Sequence, residues 1–205
     1  MTLRGLYLIT PDEADGDRLI ERVAAVLPAR PALLQYRNKR ADAVRRIDES
    51  RALKALCDAA AVPLVVNDDW RLALEIGAAG AHLGEHDGDL AEAHNAAPGL
   101  LLGASCYDDL ARAEQAAAAG AGYLAFGAFF PTRTKVTTRR ATPTLLASAA
   151  PLGLPRVAIG GITLDNAAPL VAAGADLIAV VGAVFGAPDP LAAAQRFKAL
   201  FDAPP

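Results

Sequence analysis

The chain has 205 residues, of which 53% are hydrophobic, and its formal net charge is −3. That hydrophobic fraction argues against intrinsic disorder, and the slightly acidic balance argues against a nucleic-acid partner. No apolar run reaches the roughly 18 residues that a membrane span requires. Because no break in composition divides the chain, we expect a single domain over residues 1–205 with a sizeable core.

The N-terminus and the cysteines indicate the compartment. "MTLRGLYLIT" has too short an apolar stretch, and no small-residue cleavage site, for a secretory signal. Cys57 and Cys106 form no disulfide framework, and Cys106 has no neighbouring histidine or basic residue that would activate it. We therefore predict a cytoplasmic protein with two inert, buried thiols. The sequence leaves open whether the protein forms a homo-oligomer.

Short apolar runs alternate with alanine-rich helical segments along the whole chain. The strand candidates, in chain order, are "GLYLIT", "ALLQYR", "PLVVND", "GAHLG", "LLLGAS", "YLAFGA", "RVAIGG" and "LIAVVGA". Segments between them, such as "RLIERVAAVL" and "DLARAEQAAAAG", carry apolar residues at helical spacing. Three near-copy connections, at 77–84, 118–127 and 172–182, contain a glycine suited to the left-handed position after a helix. This alternation predicts a parallel sheet covered on both faces.

Two architectures fit the alternation, a closed barrel of eight strands and an open doubly wound sheet. The chain is near the lower limit of about 200 residues for the barrel. An open sheet would carry a glycine-rich phosphate loop after its first strand, but "LITPDEADGD" matches neither G-x-G-x-x-G nor a Walker pattern. We therefore predict a TIM (β/α)8 barrel, in which functional residues follow the strands at the C-terminal mouth.

Polar side chains follow the second predicted strand. In "LLQYRNK", Gln35, Arg37 and Lys39 alternate with Tyr36 and Asn38, so the first three share one face and lead toward the mouth. Gln35 stands in an apolar run, where a polar side chain needs a partner. A row of amide and cationic donors suits a multiply charged anion.

Carboxylates follow the third and fourth predicted strands. "VVNDD" ends in Asn67, Asp68 and Asp69, and "HLGEHDGD" brings Asp87 after the next strand. We assign Asp69 to capping the helix that follows. Asp68 and Asp87, on adjacent strands beside basic residues, are typical of a Mg²⁺ site shared with a phosphate substrate.

Two alternatives concern the fourth and fifth strands. His82, Glu85 and His86 could suggest zinc, but no second histidine or cysteine cluster completes such a site. Ser105, in "GASCY", either donates a hydrogen bond into the mouth or forms a hydrogen bond with a backbone group. Both alternatives stay open at the level of the sequence.

The last three strands end in segments that suit a phosphate. "AIGGIT" and "AVVGAVF" place Gly160, Gly161 and Gly182 where backbone amides can approach a ligand, although glycine can also simply make the turn. The helix start in "ITLDNA" would add free amides. "FGAFFPTRTK", after the sixth strand, adds two threonines and two cations. We expect a mouth that holds two anionic groups, with Lys135 reaching between them.

Together these segments resemble the thiamine-phosphate synthase family. The resemblance spans nearly the whole chain and rests on "LYLIT", "LLQYRNK", "LVVNDD", "GAHLGEHD", "LGASCY", "AFGAFFPTRTK", "AIGGI" and "ADLIAVVGAVF", in the family's order. It implies a transferase that joins a pyrimidine-methyl diphosphate to a thiazole phosphate and releases pyrophosphate. In the family's reaction the diphosphate departs first, and the thiazole nitrogen captures the resulting methylene cation. The protein and Mg²⁺ would stabilise charge on the leaving group.

The resemblance also implies a role for each matching residue. Its set for the pyrimidine diphosphate is Gln35, Arg37, Lys39, Asn67, Ser105 and Lys135, of which Arg37, Ser105 and Lys135 would be catalytic. Its Mg²⁺ ligands would be Asp68 and Asp87. Its set for the thiazole phosphate is Thr132, Thr134, Gly161, Val181 and Gly182.

Two positions depart from the family pattern, and two other functions are alternatives. Gly182 stands where the family has serine, which removes a hydroxyl from the thiazole-phosphate site. Glu85 replaces the usual glutamine and adds negative charge near the metal. A tautomerase-type paralogue shares the barrel but uses a histidine near the fifth strand, where this chain has Tyr107 after Cys106. A non-catalytic phosphate-ligand sensor would not need the acid pair and Lys135.

Overall fold

The computed structural model describes residues 3–132 and 138–202. The predicted strands are present as β1 (Gly5–Ile9), β2 (Leu33–Tyr36), β3 (Leu64–Asn67), β4 (Gly80–Leu83), β5 (Leu101–Tyr107), β6 (Tyr123–Gly127), β7 (Arg156–Ile159) and β8 (Leu177–Val180). Each strand pairs in parallel with the next, and β8 pairs with β1. The predicted closed barrel is therefore confirmed, and the open sheet is excluded.

Helices follow the strands and cover the outside of the barrel. In the described ranges they are α1 (Gly16–Val26), α2 (Ala43–Ala60), α3 (Trp70–Glu75), α4 (Leu90–Ala96), α5 (Leu110–Ala118), α6 (Pro143–Ser148), α7 (Leu164–Ala172), α8 (Gly182–Phe185) and α9 (Pro190–Ala199). Short 3-10 turns, Leu27–Ala29 and Ala150–Leu152, precede β2 and β7. Within the described part of the chain, no helix combines the length and the apolar character needed to cross a membrane.

Aspartate begins most of these helices. A side-chain carboxylate accepts from backbone amides of the first turn at Asp15, Asp42, Asp69, Asp89, Asp109 and Asp189. These amides have no acceptor inside the helix, so the carboxylate satisfies them. Asp69 accepts from the Leu72 amide at 2.9 Å, which confirms that it caps α3. The near-copy connections turn at Gly77, Gly120 and Gly174, whose φ angles are 67°, 94° and 100°.

Side chains inside the barrel alternate with side chains that face the helices, as the two-residue period of a strand requires. The interior cluster consists of Tyr7, Ile9, Leu33, Val65, Tyr123, Ala125, Val157, Leu177 and Ala179. Intervening positions such as Leu6, Leu8 and Leu34 pack in the outer core. Two bulky tyrosines in the interior carry hydroxyl groups that need partners, and those partners lie toward the mouth.

Candidate active site

A carboxylate in the loop after β1 holds the cationic end of β2. Both oxygens of Asp12 lie 2.9 Å from Arg37 Nη1, and Oδ1 accepts from the Lys39 amide at 2.7 Å. The Thr10 hydroxyl ties the same two loops together, since it donates to the Arg37 carbonyl at 2.7 Å and accepts from the Arg37 amide at 2.8 Å. Asp12 is not among the predicted residues, and its signal in the sequence is only an acid after the first strand.

The structure brings Asp68 and Asp87 together beyond the ends of β3 and β4. Their carboxyl groups lie close enough for each to shift the pKa of the other, and the Lys39 ammonium forms an ion pair with Asp68. Burial raises the pKa of Asp87, and the neighbouring Asp68 carboxylate raises it further. Burial acts in the same direction on Asp68, but the hydrogen bonds from Lys39 and Asp87 outweigh it and lower the pKa of Asp68. The fold thus places two acids side by side, and the Lys39 ammonium offsets the charge of Asp68.

The backbone at Asp68 is unusual for a residue with a side chain. Its φ is 66°, in the left-handed region, and its amide donates to the His82 carbonyl at 2.8 Å. Such a conformation is uncommon outside glycine and persists where the surroundings enforce it, often at functional sites. Pairing with β4 therefore holds the Asp68 carboxylate beside Asp87.

A cavity of about 140 Å³ opens at the ends of β2 and β3. Its lining includes the predicted site residues Arg37, Lys39, Asn67 and Asp68. It also includes Arg46, which is not among the predicted residues and comes from the first turns of α2. Arg46 Nη2 lies 3.4 Å from the helix-capping Asp69. Three cationic side chains therefore face one small cavity that two backbone loops and a carboxylate close.

Glu85, one of the departures from the family pattern, is held by two arginines. Its carboxylate lies 3.0 Å from Arg112 Nη1 and 3.2 Å from Arg139 Nη2. Both guanidinium groups also lie over the Tyr107 ring, 5.4 and 4.2 Å from its centroid. The negative charge that Glu85 adds is therefore offset locally by two cations.

A larger cavity, of about 210 Å³, lies beside Glu85 between α4 and α5. Its lining includes Glu85, Ser105 and Arg112, together with small residues such as Ala116 and Ala119 of the α5 segment. Size alone would favour it as a ligand site. The smaller cavity, and not this one, is lined by the predicted residues Arg37, Lys39, Asn67 and Asp68.

Five polar side chains form a hydrogen-bonded chain across the barrel interior. Gln35 Nε2 donates to Tyr7 Oη at 2.6 Å, and Tyr7 Oη lies 2.7 Å from Tyr123 Oη. Tyr123 Oη lies 3.1 Å from His82 Nδ1, and His82 Nε2 lies 2.9 Å from Ser105 Oγ. The partner that Gln35 was expected to need is thus Tyr7. Both ring nitrogens of His82 bind within this chain, and the described residues contain no group of three metal-ligating side chains, so the zinc alternative gains no support.

Gly161 and Gly182 follow β7 and β8, but their surroundings differ. Gly161 has a φ of 65°, and a Cβ there would lie 2.4 Å from the Pro131 oxygen and 2.7 Å from the Phe130 oxygen. Glycine is therefore required at 161 by the close approach of the loop after β6. Gly182 begins α8 after Val181, and a Cβ there would meet nothing within 4 Å.

Three predicted residues belong to the loop after β6. Thr132 is partly buried there. Thr134 and Lys135 lie outside the described residues. Their roles stay predictions.

The two cysteines are buried, as predicted. Burial raises the pKa of both the Cys57 and the Cys106 thiol to about 12. Neither sulfur is a thiolate at neutral pH, so neither is an activated nucleophile.

Known proteins resemble this chain over nearly its full length. A family model described as thiamine monophosphate synthase matches residues 6–184. A thiamine-phosphate synthase of Xanthomonas campestris pv. campestris (strain 8004) is 58% identical over 201 residues, which are 97% of this chain and 96% of the relative. One from Azoarcus sp. (strain BH72) is 57% identical over 201 residues, 97% of this chain and 98% of the relative. A solved structure of thiamine phosphate pyrophosphorylase from Pyrococcus furiosus is 32% identical, covers 98% of this chain and 96% of that chain, and superposes with a TM-score of 0.86.

These similarities extend across the strand ends that carry the candidate site. They confirm the predicted family and the predicted transferase, a thiamine-phosphate synthase, and they favour neither the tautomerase-type paralogue nor the sensor. The chain belongs to the thiamine monophosphate synthase family.

Proposed function

We propose that the chain joins 4-amino-2-methyl-5-(diphosphooxymethyl)pyrimidine to a thiazole phosphate, giving thiamine phosphate and pyrophosphate. One observation carries the proposal: Arg37 and Lys39 line a cavity with Asp68, whose carboxylate is paired with Asp87. A diphosphate carries several negative charges, so it needs both fixed cations and oxygens that can share a metal ion with it. This cavity supplies both.

The carboxyl pair fits a Mg²⁺ ion. Two acids side by side repel each other when both are ionised, and a divalent cation held between them would relieve that repulsion. Mg²⁺ takes one or two protein carboxylates and fills its remaining positions with water and substrate phosphate oxygens, so a third acid is not needed. We propose that Asp68 and Asp87 hold Mg²⁺, which when bound would neutralise charge on the diphosphate.

The cations of β2 would bind the diphosphate directly. Arg37 is preorganised, because Asp12 and Thr10 fix its side chain and its backbone. Lys39 is more than half exposed and can move from Asp68 to a phosphate oxygen. The other proposed contacts to this substrate are Gln35, Asn67, Ser105 and Lys135. Arg46 adds a third cation to the same cavity.

The thiazole phosphate would bind on the side of β7 and β8. Val181 and Gly182 form the start of α8, whose first backbone amides have no acceptor inside the helix. This helix start follows β8, which pairs with β7. Gly161 brings the loop after β6 close to the same strand ends. We propose that Gly161, Val181 and Gly182 bind the phosphate with Thr132 and Thr134.

The proposed reaction needs charge stabilisation and proximity. Arg37, Lys39 and Lys135 would stabilise the diphosphate as its bond to the pyrimidine methylene breaks, since charge on that group grows in the transition state. The thiazole phosphate, held at the opposite side of the mouth, would then present its ring nitrogen to the methylene cation. Holding both reactants in one barrel mouth removes much of the entropic cost of their encounter.

The test is to incubate the purified chain with both substrates and Mg²⁺ and to measure thiamine phosphate and pyrophosphate together. Equal amounts of the two products are expected, and no product when either substrate is omitted. Isomerisation of the thiazole phosphate alone would instead identify a tautomerase. Binding of either phosphate compound without turnover would identify a sensor.

We propose a cytoplasmic enzyme whose turnover requires only small-molecule substrates and Mg²⁺. Fractionation of cells would test the location, and light scattering of the purified chain would test for a homo-oligomer.

A further inference from the structure

The hydrogen-bonded chain inside the barrel can be followed one proton at a time. Gln35 donates an amide hydrogen to the Tyr7 oxygen. The Tyr7 hydrogen then has the Tyr123 oxygen as its acceptor, and the Tyr123 hydrogen has His82 Nδ1. A neutral imidazole that accepts at Nδ1 carries its hydrogen on Nε2, and Nε2 faces the Ser105 oxygen at 2.9 Å.

The opposite direction brings two donors together. If His82 donated from Nδ1, Tyr123 would donate to Tyr7, and the Tyr7 hydrogen would meet Gln35 Nε2, which is itself a donor. That direction would require the Gln35 amide to turn over and present its oxygen to Tyr7. A buried donor without an acceptor is costly, because no water replaces the lost partner. Gln35, Tyr7 and Tyr123 are 2%, 1% and 0% exposed. With Nε2 of Gln35 facing Tyr7, as the structure has it, the Gln35 amide sets the direction of the whole hydrogen-bonded chain.

Both phenols keep their protons. Burial raises the pKa of Tyr7 and of Tyr123 well above the ordinary tyrosine value. Each phenol therefore supplies one hydrogen and one acceptor oxygen at neutral pH, which is what a one-directional chain requires.

The interior is shaped to hold these rings. A Cβ at Gly103 of β5 would lie 2.0 Å from Tyr123 Cζ and 2.3 Å from its hydroxyl oxygen, so the absence of a side chain there makes room for the ring. Tyr7 meets Tyr123 edge to face with centroids 5.8 Å apart, and the His82 ring stacks on Tyr123 at 5.6 Å. Packing on three sides restricts Tyr123 to the orientation that reaches His82.

We infer that Tyr7, Tyr123 and His82 are positioning residues that hold the Ser105 hydroxyl as a hydrogen-bond donor toward the substrate. Because Ser105 Oγ accepts from His82, its own hydrogen remains available to a ligand, and Ser105 lines the cavity beside Glu85 and Arg112. No proton is transferred along the chain; its role is orientation. The identity of that ligand, the pyrimidine diphosphate, rests on the proposed function, whereas the direction of the chain does not.

A double-mutant cycle tests the coupling between Tyr123 and Ser105. Tyr123→Phe keeps the ring and removes one hydroxyl, and it should lower kcat/KM for the pyrimidine diphosphate about fivefold. In a Ser105→Ala background the same substitution should change kcat/KM less than twofold, because the hydroxyl that it orients is gone. Tyr7→Phe should behave in the same way with a smaller loss, and it replaces Tyr123→Phe if that variant fails to fold.

Tyr36→Phe is the matched control. It removes another buried hydroxyl, which donates to Glu49 on the helix side of β2, so its effect should be the same with or without Ser105. Equal losses for Tyr123→Phe in the two backgrounds would mean that Tyr123 acts through the fold and not through Ser105, and would overturn the inference.

The direction of the chain is tested separately, without substrate. ¹⁵N NMR at pH 8 should show His82 with its hydrogen on Nε2, the His82 signals being those lost in His82→Gln. In Tyr123→Phe this preference should weaken. If His82 of the unsubstituted protein carried its hydrogen on Nδ1, or hydrogens on both nitrogens, the inference would be overturned. Absence of thiamine phosphate in the turnover assay would overturn the proposed function. The NMR result would then still decide the direction of the hydrogen-bonded chain.

Discussion

Asp68 and Asp87 interact across the ends of two neighbouring strands, and their pKa values are shifted in opposite directions. When the pair binds one proton, Asp87 holds it more readily than Asp68, because Lys39 stabilises the charge of Asp68. The pair therefore suits a cation, but the folded state loses stability when both acids are ionised and no cation is bound. Stability and function should conflict at Asp87.

Asp87→Asn should show this conflict directly. The raised pKa of Asp87 means that its ionised form is disfavoured in the folded state, so at pH 7 without Mg²⁺ an asparagine, which can still donate to Asp68, should raise Tm. This gain should shrink as the pH falls below the raised pKa, because Asp87 is then protonated in the folded chain. Turnover should fall at least about tenfold at limiting Mg²⁺. A lower Tm at pH 7 with unchanged turnover would remove Asp87 from the metal site.

Asp12 should matter through Arg37. Asp12→Ala frees the guanidinium and leaves the Lys39 amide without its acceptor, so KM for the pyrimidine diphosphate should rise about fivefold. Asp12→Asn retains an acceptor oxygen and should lose less. Asp17→Ala, an exposed acid in the first turn of α1, is the control for loss of charge alone. A rise in KM as large at Asp17 would point to a general electrostatic effect.

Gly182→Ser should restore a hydroxyl to the proposed thiazole-phosphate site. Open space surrounds the position of its Cβ, so the substitution should leave Tm unchanged. A hydrogen bond to a charged group contributes roughly 1.5 kcal/mol, which corresponds to about a tenfold lower KM for the thiazole phosphate. Gly161→Ser is the contrasting variant, because backbone oxygens occupy the space its side chain needs, and it should lower Tm. A raised KM in a folded Gly182→Ser would argue against this site.

Lys135 should act mainly in the transition state. Charge on the diphosphate grows as its bond breaks, so Lys135→Ala should depress kcat severely, by about 100-fold or more, and change substrate binding modestly. Lys135→Arg should rescue only part of this, because a planar guanidinium does not replace a compact ammonium. Single-turnover rates with both substrates saturating separate chemistry from binding. Arg133→Ala is the control. An equal loss of kcat in that variant would mean that the positive charges of this segment attract anions in general and that Lys135 has no specific role in the transition state.

The sequence was sufficient for the barrel because its information is local. Strand periodicity, aspartates before helices and glycines after them recur along the chain, and each can be recognised within about ten residues. Asp68 and Asp87 could be placed together because parallel strands present their carboxyl ends at the same mouth. Asp69 could be identified as a cap by its position alone.

What could not be predicted depends on closure of the barrel. Tyr7 and Tyr123 are 116 positions apart and look like ordinary core residues in apolar strands. Glu85 suggested an unbalanced charge because Arg139, 54 positions away, gives no local sign of reaching it. Asp12 resembled the other acids of its loop until its distance to Arg37 was known. Contacts of this kind carry no periodicity and no motif.

The close approach of Gly103 and Tyr123 has a consequence for the evolution of this barrel. The two positions share one volume, so alanine at 103 is accommodated only when the side chain at 123 is smaller or turned away, and alanine at 103 first would clash with the ring. Loss of the ring first would open a void beside β5 and weaken the core. Each path passes through a less stable intermediate. Exchanges at 103 and 123 should therefore occur together in divergent barrels of this kind, and a bulky residue at both positions should be rare.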